Sequence, residues 1–268
     1  MKTKLVLCLL VSAMSSVCVA DDWSGLQQAI AGKQRSEAHK ARDKYRHPLQ
    51  TLTFFDVKDT MTVVEVWPGE GWYTEILAPY LKDKGKLYAA HFSPTATRPY
   101  YVKGVNDFIS KLDNAPEIYA NVQRTVLQPP ELTAIAPAGS VDRVLTFRNV
   151  HNWMKNDQAA AVFSAFFQAL KSGGILGVVE HRQANTKPQD VKSESGYVTE
   201  DYVIALATKA GFKLLEKSEI NANPKDTKDY PEGVWTLPPV LRLQDKDREK
   251  YLAIGESDRM TLKFIKPN

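Results

Sequence analysis

Cysteine is scarce: the 268 residues hold two, Cys8 and Cys18, both within the first twenty. If that leader is removed, no thiol remains for a disulfide, a thiolate metal site or a cysteine nucleophile. Other absences narrow the chemistry further. No G-x-S-x-G elbow marks a hydrolase serine, no H-E-x-x-H sets two metal ligands on one helical face, and no G-x-G-x-x-G announces a dinucleotide. Basic residues barely outnumber acidic ones, 35 to 31, and form no long block, so nothing argues for nucleic acid. After the leader, no apolar run is long enough to span a bilayer.

The first twenty residues have the order of a signal peptide: Lys2 and Lys4, an apolar run over 5–10, and small residues before Ala20. A lipoprotein acylated on Cys18 is the alternative, disfavoured by the large Val17 before it. Loss of Lys2 and Lys4 would lower the formal charge from +4 to +2. Residues 21–268 then suffice for one large α/β domain over 61–268, preceded at 21–60 by a helical extension or lid. In that extension Ser36 is placed to cap a short helix ending near Arg46, and 49–55 reads as a second helix.

The rest of the chain is organised around residues 61–82. TVVEV is a β-branched run suited to a buried strand, Trp67 to Gly71 is a tight turn, and Tyr73, Ile76, Leu77, Tyr80 and Leu81 recur at helical spacing. A strand that ends in glycines and opens a helix exposes main-chain N–H groups to a nucleotide-like ligand, although an ordinary βα joint needs the same glycines. Residues 86–92 supply a second strand, completing a right-handed βαβ unit, with His91 where nucleoside sites often carry an acid. There follow a helix at 101–112 and strands at 117–126 and 141–147. Next come a helix capped by Asp157 and ended by Gly173-Gly174, a strand at 175–179, and a helix capped by Thr199. Two last strands, 212–219 and 259–266, enclose a long insert near 221–258. Ligands of open α/β sheets gather at the carboxyl ends of the strands. The polar residues there are Arg148, Asn149 and His151 after the fourth strand, and Glu180, His181 and Arg182 after the fifth.

This order resembles the class I S-adenosylmethionine-dependent methyltransferases over most of residues 21–268. Glu65 matches the acidic position of that family's first motif, Gly69 and Gly71 its turn, and LKSGGIL at 170–176 its entry to the fifth strand. More closely, WPG at 67–69, GWYTE at 71–75, FRNVHNW at 147–153 and VEHR at 179–182 are similar to a group of predicted exported bacterial methyltransferases, which implies the periplasm. The resemblance implies a Rossmann-like fold, with a seven-stranded, mostly parallel sheet, helices on both faces and a C-terminal antiparallel strand. It implies S-adenosylmethionine as cofactor and a small-molecule acceptor, and leaves the oligomeric state open. Cofactor contacts are expected from Glu65, Trp67, Gly69, Gly71, Tyr73, His91, Phe92, Arg148 and Asn149. His151 is the expected base, with Glu180 and His181 beside it, and Tyr45, Arg46, Arg182, Tyr230 and Trp235 are expected to contact the acceptor. No metal is expected, since His151, Glu180 and His181 offer ligand types without a recognised spacing. Two positions depart from the family: Trp67 replaces its first glycine, and His91 its ribose-binding acid. The alternative is a non-catalytic exported binding protein that retains the fold. A nicotinamide-dependent oxidoreductase would rest on the glycine turn alone.

Overall fold

The computed structural model describes residues 23–268, so the expected signal peptide lies outside the described residues. Four short helices come first: α1 (Ser24–Ala31), α2 (Glu37–Lys40), α3 (Asp43–Arg46) and α4 (Pro48–Phe54). Ser36 does cap α2, accepting from the His39 amide at 3.1 Å. Pro48 opens α4, where a missing N–H costs nothing. Then follow β1 (Thr62–Val66), α5 (Thr74–Leu81), β2 (Lys86–His91), α6 (Pro99–Asp113), α7 (Pro116–Tyr119) and β3 (Gln123–Val126). The second half contains β4 (Val141–Phe147), α8 (Val150–Lys155), α9 (Ala159–Ala169), β5 (Leu170–Gln183), β6 (Val198–Thr199) and α10 (Glu200–Lys209). It closes with β7 (Lys213–Ser218), a 3-10 turn at Gly233–Thr236, α11 (Arg248–Ile254) and β8 (Arg259–Ile265).

Seven strands lie in the order β3-β2-β1-β4-β5-β8-β7, and the two-residue β6 pairs with β5 as an eighth. Strands β1 to β5 are parallel, while β8 runs antiparallel between β5 and β7. Side chains of β1 alternate between the two cores. Val64 and Val66 join Trp153, Phe163 and Phe166 on one face, and Val63 joins Leu52, Phe55, Ile76 and Leu77 on the other. The sheet order reverses between β1 and β4, and this is the point at which open α/β sheets leave a crevice beyond the strand ends.

The helix expected from Ser36 to near Arg46 is two, α2 ending at Lys40 and α3 beginning at Asp43. Three further boundaries differ from expectation. The third strand is shorter because Pro116, well placed at a helix start, turns its first residues into α7. The helix before β5 ends at Ala169, because Leu170 is already extended and pairs with Val141; Gly173 and Gly174 lie inside the strand. Asp157 is not the cap of that helix: Gln158 occupies the position, and the Asp157 carboxylate binds Lys192.

Candidate functional site

A cavity of about 550 Å³ opens at the switch point, between the ends of β1 and β4. One side is the turn from β1 into α5. Trp67 (φ 45°) and Gly69 (φ 60°) are both left-handed there. Nothing lies within 4 Å of where a Cβ on Gly69 would stand, so its main chain faces open space. Gly71 serves packing instead, since a Cβ would come 3.1 Å from the Phe108 ring. Beneath the turn, Glu65 accepts a 2.6 Å hydrogen bond from the Thr74 hydroxyl, and burial pushes its carboxyl up to about 7.

Trp67 does not close the cavity; it forms its wall. Its indole N–H donates to the Leu127 carbonyl at 2.9 Å, and its ring lies 4.5 Å from Phe92 and 5.5 Å from Trp153. A second cavity of about 150 Å³ shares Trp67, Phe92 and Tyr101 as walls. Tyr73 also lines the main cavity, stacked on Phe147 at 3.6 Å, and burial pushes its hydroxyl up to about 12.

His91 is not among the residues that line the cavity. Its Nδ1 accepts from the Phe92 amide at 2.7 Å, which leaves the proton on Nε2, and Nε2–H donates to the Gly69 carbonyl at 3.2 Å. Both nitrogens are used, and burial holds the ring neutral by lowering its pKa to about 4. The residue braces the glycine turn from behind.

The opposite side is built by the ends of β4 and β5. Asn149 ties β4 to β1, its amide donating to the Val66 carbonyl at 2.9 Å and the Thr146 hydroxyl at 3.2 Å. His151, on the first turn of α8, lines the cavity with its Nδ1 3.1 Å from Glu180 Oε1. Glu180 is fully buried behind it, also accepting from the main-chain amides of His151 (3.3 Å) and His181 (2.8 Å). The Trp235 ring lies 6.0 Å from the His151 ring. His181 Nδ1 is 2.6 Å from the Ser257 hydroxyl. Its pKa is held well below the ordinary value by burial first, then by His151, Arg148, Arg259 and Arg46. Donor atoms of His151, Glu180 and His181 all lie within 4.8 Å of one another, close enough to converge on a metal ion. The same arginines that depress His181 oppose a cation there.

The roof comes from distant parts of the chain. Arg42 and Arg46 line the cavity from the N-terminal extension, and Glu256 and Ser257 from the segment before β8. Arg42 Nε donates to Glu256 at 2.6 Å, while Arg46 and Arg259 approach the same carboxylate at 3.6 and 3.3 Å. Of these, Arg46 is an expected acceptor contact, and Arg42 belongs to the charged run before Pro48 that reads either as a solvated helix end or as a lid; Glu256 and Arg259 carry no sequence signal.

Three expected acceptor contacts lie elsewhere. Arg182 is taken up by Asp258, Glu200 and Glu219 at 2.7–3.1 Å. Tyr230 packs on Tyr251, and its hydroxyl accepts from the Thr227 amide. Tyr45 packs against Gly255, and its carbonyl accepts from Arg259.

No protein-family profile matches the chain, and no curated protein does. Solved structures are similar to it. An S-adenosylmethionine-dependent methyltransferase from Aquifex aeolicus is 17% identical, over 92% of this chain and 100% of its own, with a TM-score of 0.55. One from Methanosarcina mazei is 11% identical over 81% of this chain and 97% of its own, with a TM-score of 0.52. The cyclase SpnF is 14% identical over 91% and 92%, with a TM-score of 0.57. The chain therefore has the Rossmann-like methyltransferase fold that its motifs implied.

Proposed function

We propose that the protein is an S-adenosylmethionine-dependent methyltransferase acting on an oxygen or nitrogen of a small molecule. The observation that carries this reading is a single cavity, at the sheet's switch point, that joins an open glycine turn to a carboxylate-backed histidine. The residues present fit the cofactor. Gly69 leaves its main chain open for close approach, and the faces of Trp67, Tyr73, Phe92 and Phe147 suit a cationic sulfonium. A diol anchor at His91 does not belong to this fit.

When bound, the cofactor supplies an electrophilic methyl group. The protein's tasks are then to align the acceptor, exclude water and take one proton. Glu180 accepts from Nδ1–H of His151, which fixes the tautomer and leaves Nε2 as the free lone pair. That nitrogen is the base, and the buried carboxylate stabilises the imidazolium once it has formed. His181, kept neutral and bonded to Ser257, positions the pair rather than sharing its proton. We also read residues 1–20 as a signal peptide directing export, and 21–60 as a lid; no helix of the described residues is long and apolar enough to cross a membrane.

Calorimetric titration of residues 21–268 with S-adenosylmethionine and S-adenosylhomocysteine tests the reading. Saturable binding of both is expected. Silence up to ~1 mM, which allows no more than about 4 kcal/mol of affinity, sinks it.

A further inference from the structure

We propose that the arginine end of the cavity is an oxyanion subsite, and that the methyl acceptor is a small carboxylic or phosphoric acid held there by Arg46 and Arg148. The word acceptor rests on the methyltransferase reading; the subsite does not.

Arg148 follows β4 in a left-handed conformation, φ 63°, which a non-glycine residue adopts at a cost of about 1–2 kcal/mol. Its amide is pinned to the Val179 carbonyl at 2.7 Å, so the strained turn is fixed between β4 and β5. Strain of this kind persists where the surroundings over-determine it, often at ligand sites. Among the described residues nothing accepts a hydrogen bond from the Arg148 guanidinium, although it lines the cavity. Arg46 is 3% exposed; its Nε has no hydrogen-bond partner and only a 3.6 Å approach to Glu256. Arg42 spends Nε on Glu256 and keeps a buried Nη2 without a partner. Arg259 is satisfied by the Ser257 and Tyr45 carbonyls.

Three guanidinium groups, of Arg42, Arg46 and Arg259, thus share one carboxylate, Glu256, and Arg148 lines the same cavity with no ion pair among the described residues. Burial first, then Arg259 and Arg42, push Arg148 down to about 10 against the upward pull of Glu256, and burial and Arg148 lower Arg46 in the same direction. Unpaired buried cations are costly, and guanidinium forks match the two oxygens of a carboxylate or phosphate. A bound oxyanion relieves both deficits. His151 lines the same cavity, so an acid anchored at the arginines presents its hydroxyl or amine to the base.

The test uses residues 21–268 with inorganic phosphate as probe at constant ionic strength, read by calorimetry and by tryptophan fluorescence. Trp72 is a built-in reporter, since the Arg46 guanidinium lies 4.6 Å from its ring centre. We expect saturable binding that persists when S-adenosylhomocysteine is bound. Arg148→Gln, which loses no internal hydrogen bond, should weaken it about tenfold or more, as removal of a charge-assisted pair does. Arg124→Gln, on the exposed Asp113 pair, should change nothing. No saturation through about 10 mM phosphate, or binding indifferent to Arg148→Gln, overturns the subsite. Mutual exclusion of phosphate and S-adenosylhomocysteine assigns the arginines to the cofactor's own carboxylate and overturns the acidic acceptor. Phosphate binding without any S-adenosylhomocysteine binding keeps the subsite and sinks methyl transfer instead.

Discussion

His151 keeps one ring nitrogen for the cavity because Glu180 occupies the other, whereas His91 has neither to spare. His151→Gln should therefore lower kcat about a hundredfold to ten-thousandfold while leaving S-adenosylhomocysteine affinity unchanged by calorimetry. For His91 the consequence is one of stability. Its pKa falls from 6.5 to about 4 on folding, so below pH 6.5 the unfolded chain takes up a proton that the folded one refuses. That stabilisation is complete above 6.5 and is lost as the pH drops to about 4, roughly 3 kcal/mol in all. Glu65 works the other way. Its folded carboxyl, raised from 4.5 to about 7, stabilises below 4.5 and loses that contribution as the pH rises to 7. The two nearly cancel in the wild type, so the His91 contribution should emerge on comparison with His91→Asn. Urea midpoints should show the variant gaining on the wild type between pH 6.5 and 4; parallel curves would remove the histidine from the balance.

The glycine turn is the element on which the cofactor reading depends. Gly69→Ala should cost about 1–2 kcal/mol through its left-handed φ, which a thermal melt would register, and should weaken S-adenosylhomocysteine binding disproportionately because the methyl group enters the open cradle. Binding that tracks the stability loss alone would place the ligand elsewhere. Strands β1, β2, β4, β7 and β8 were legible within a residue, β1 because a strand buried on both faces is a near-continuous apolar run. Helices α1, α7 and α8 were not. Helices α7 and α8 have only four and six residues, too few for a helical period to register, and α1 lies in a polar stretch. Of the candidate residues, those at strand ends and in the glycine turn could be named, since sheet topology carries them to one edge. The side on which each faces could not. His91 and Gly71 belong to the same edge yet turn away from the cavity, on hydrogen bonds and contacts that no local pattern encodes.

The least legible part of the site is assembled by the whole molecule, from residues more than two hundred positions apart. Arg42 meets Glu256, the Tyr45 carbonyl meets Arg259, and Asn221 bridges Thr51 and Thr261 at 3.1 and 3.0 Å. These contacts fasten the N-terminal extension to the start of β8 and make the cavity roof a consequence of closure of the full chain. Glu256 is the centre of that closure. Burial alone would raise its pKa, but Arg259, Arg46 and Arg42 outweigh burial and bring it down to about 2. The resulting stabilisation, roughly 3 kcal/mol, is complete above pH 4.5 and is lost as the pH falls toward 2. Glu256→Gln should abolish that acid limb in urea titrations. At neutral pH it should cost about 3–5 kcal/mol, because three arginines lose their shared carboxylate. Inorganic phosphate should then stabilise the variant more than the wild type, since an oxyanion among the arginines replaces the charge that was removed. Equal phosphate stabilisation of the two proteins would show that the arginine cluster does not receive the anion.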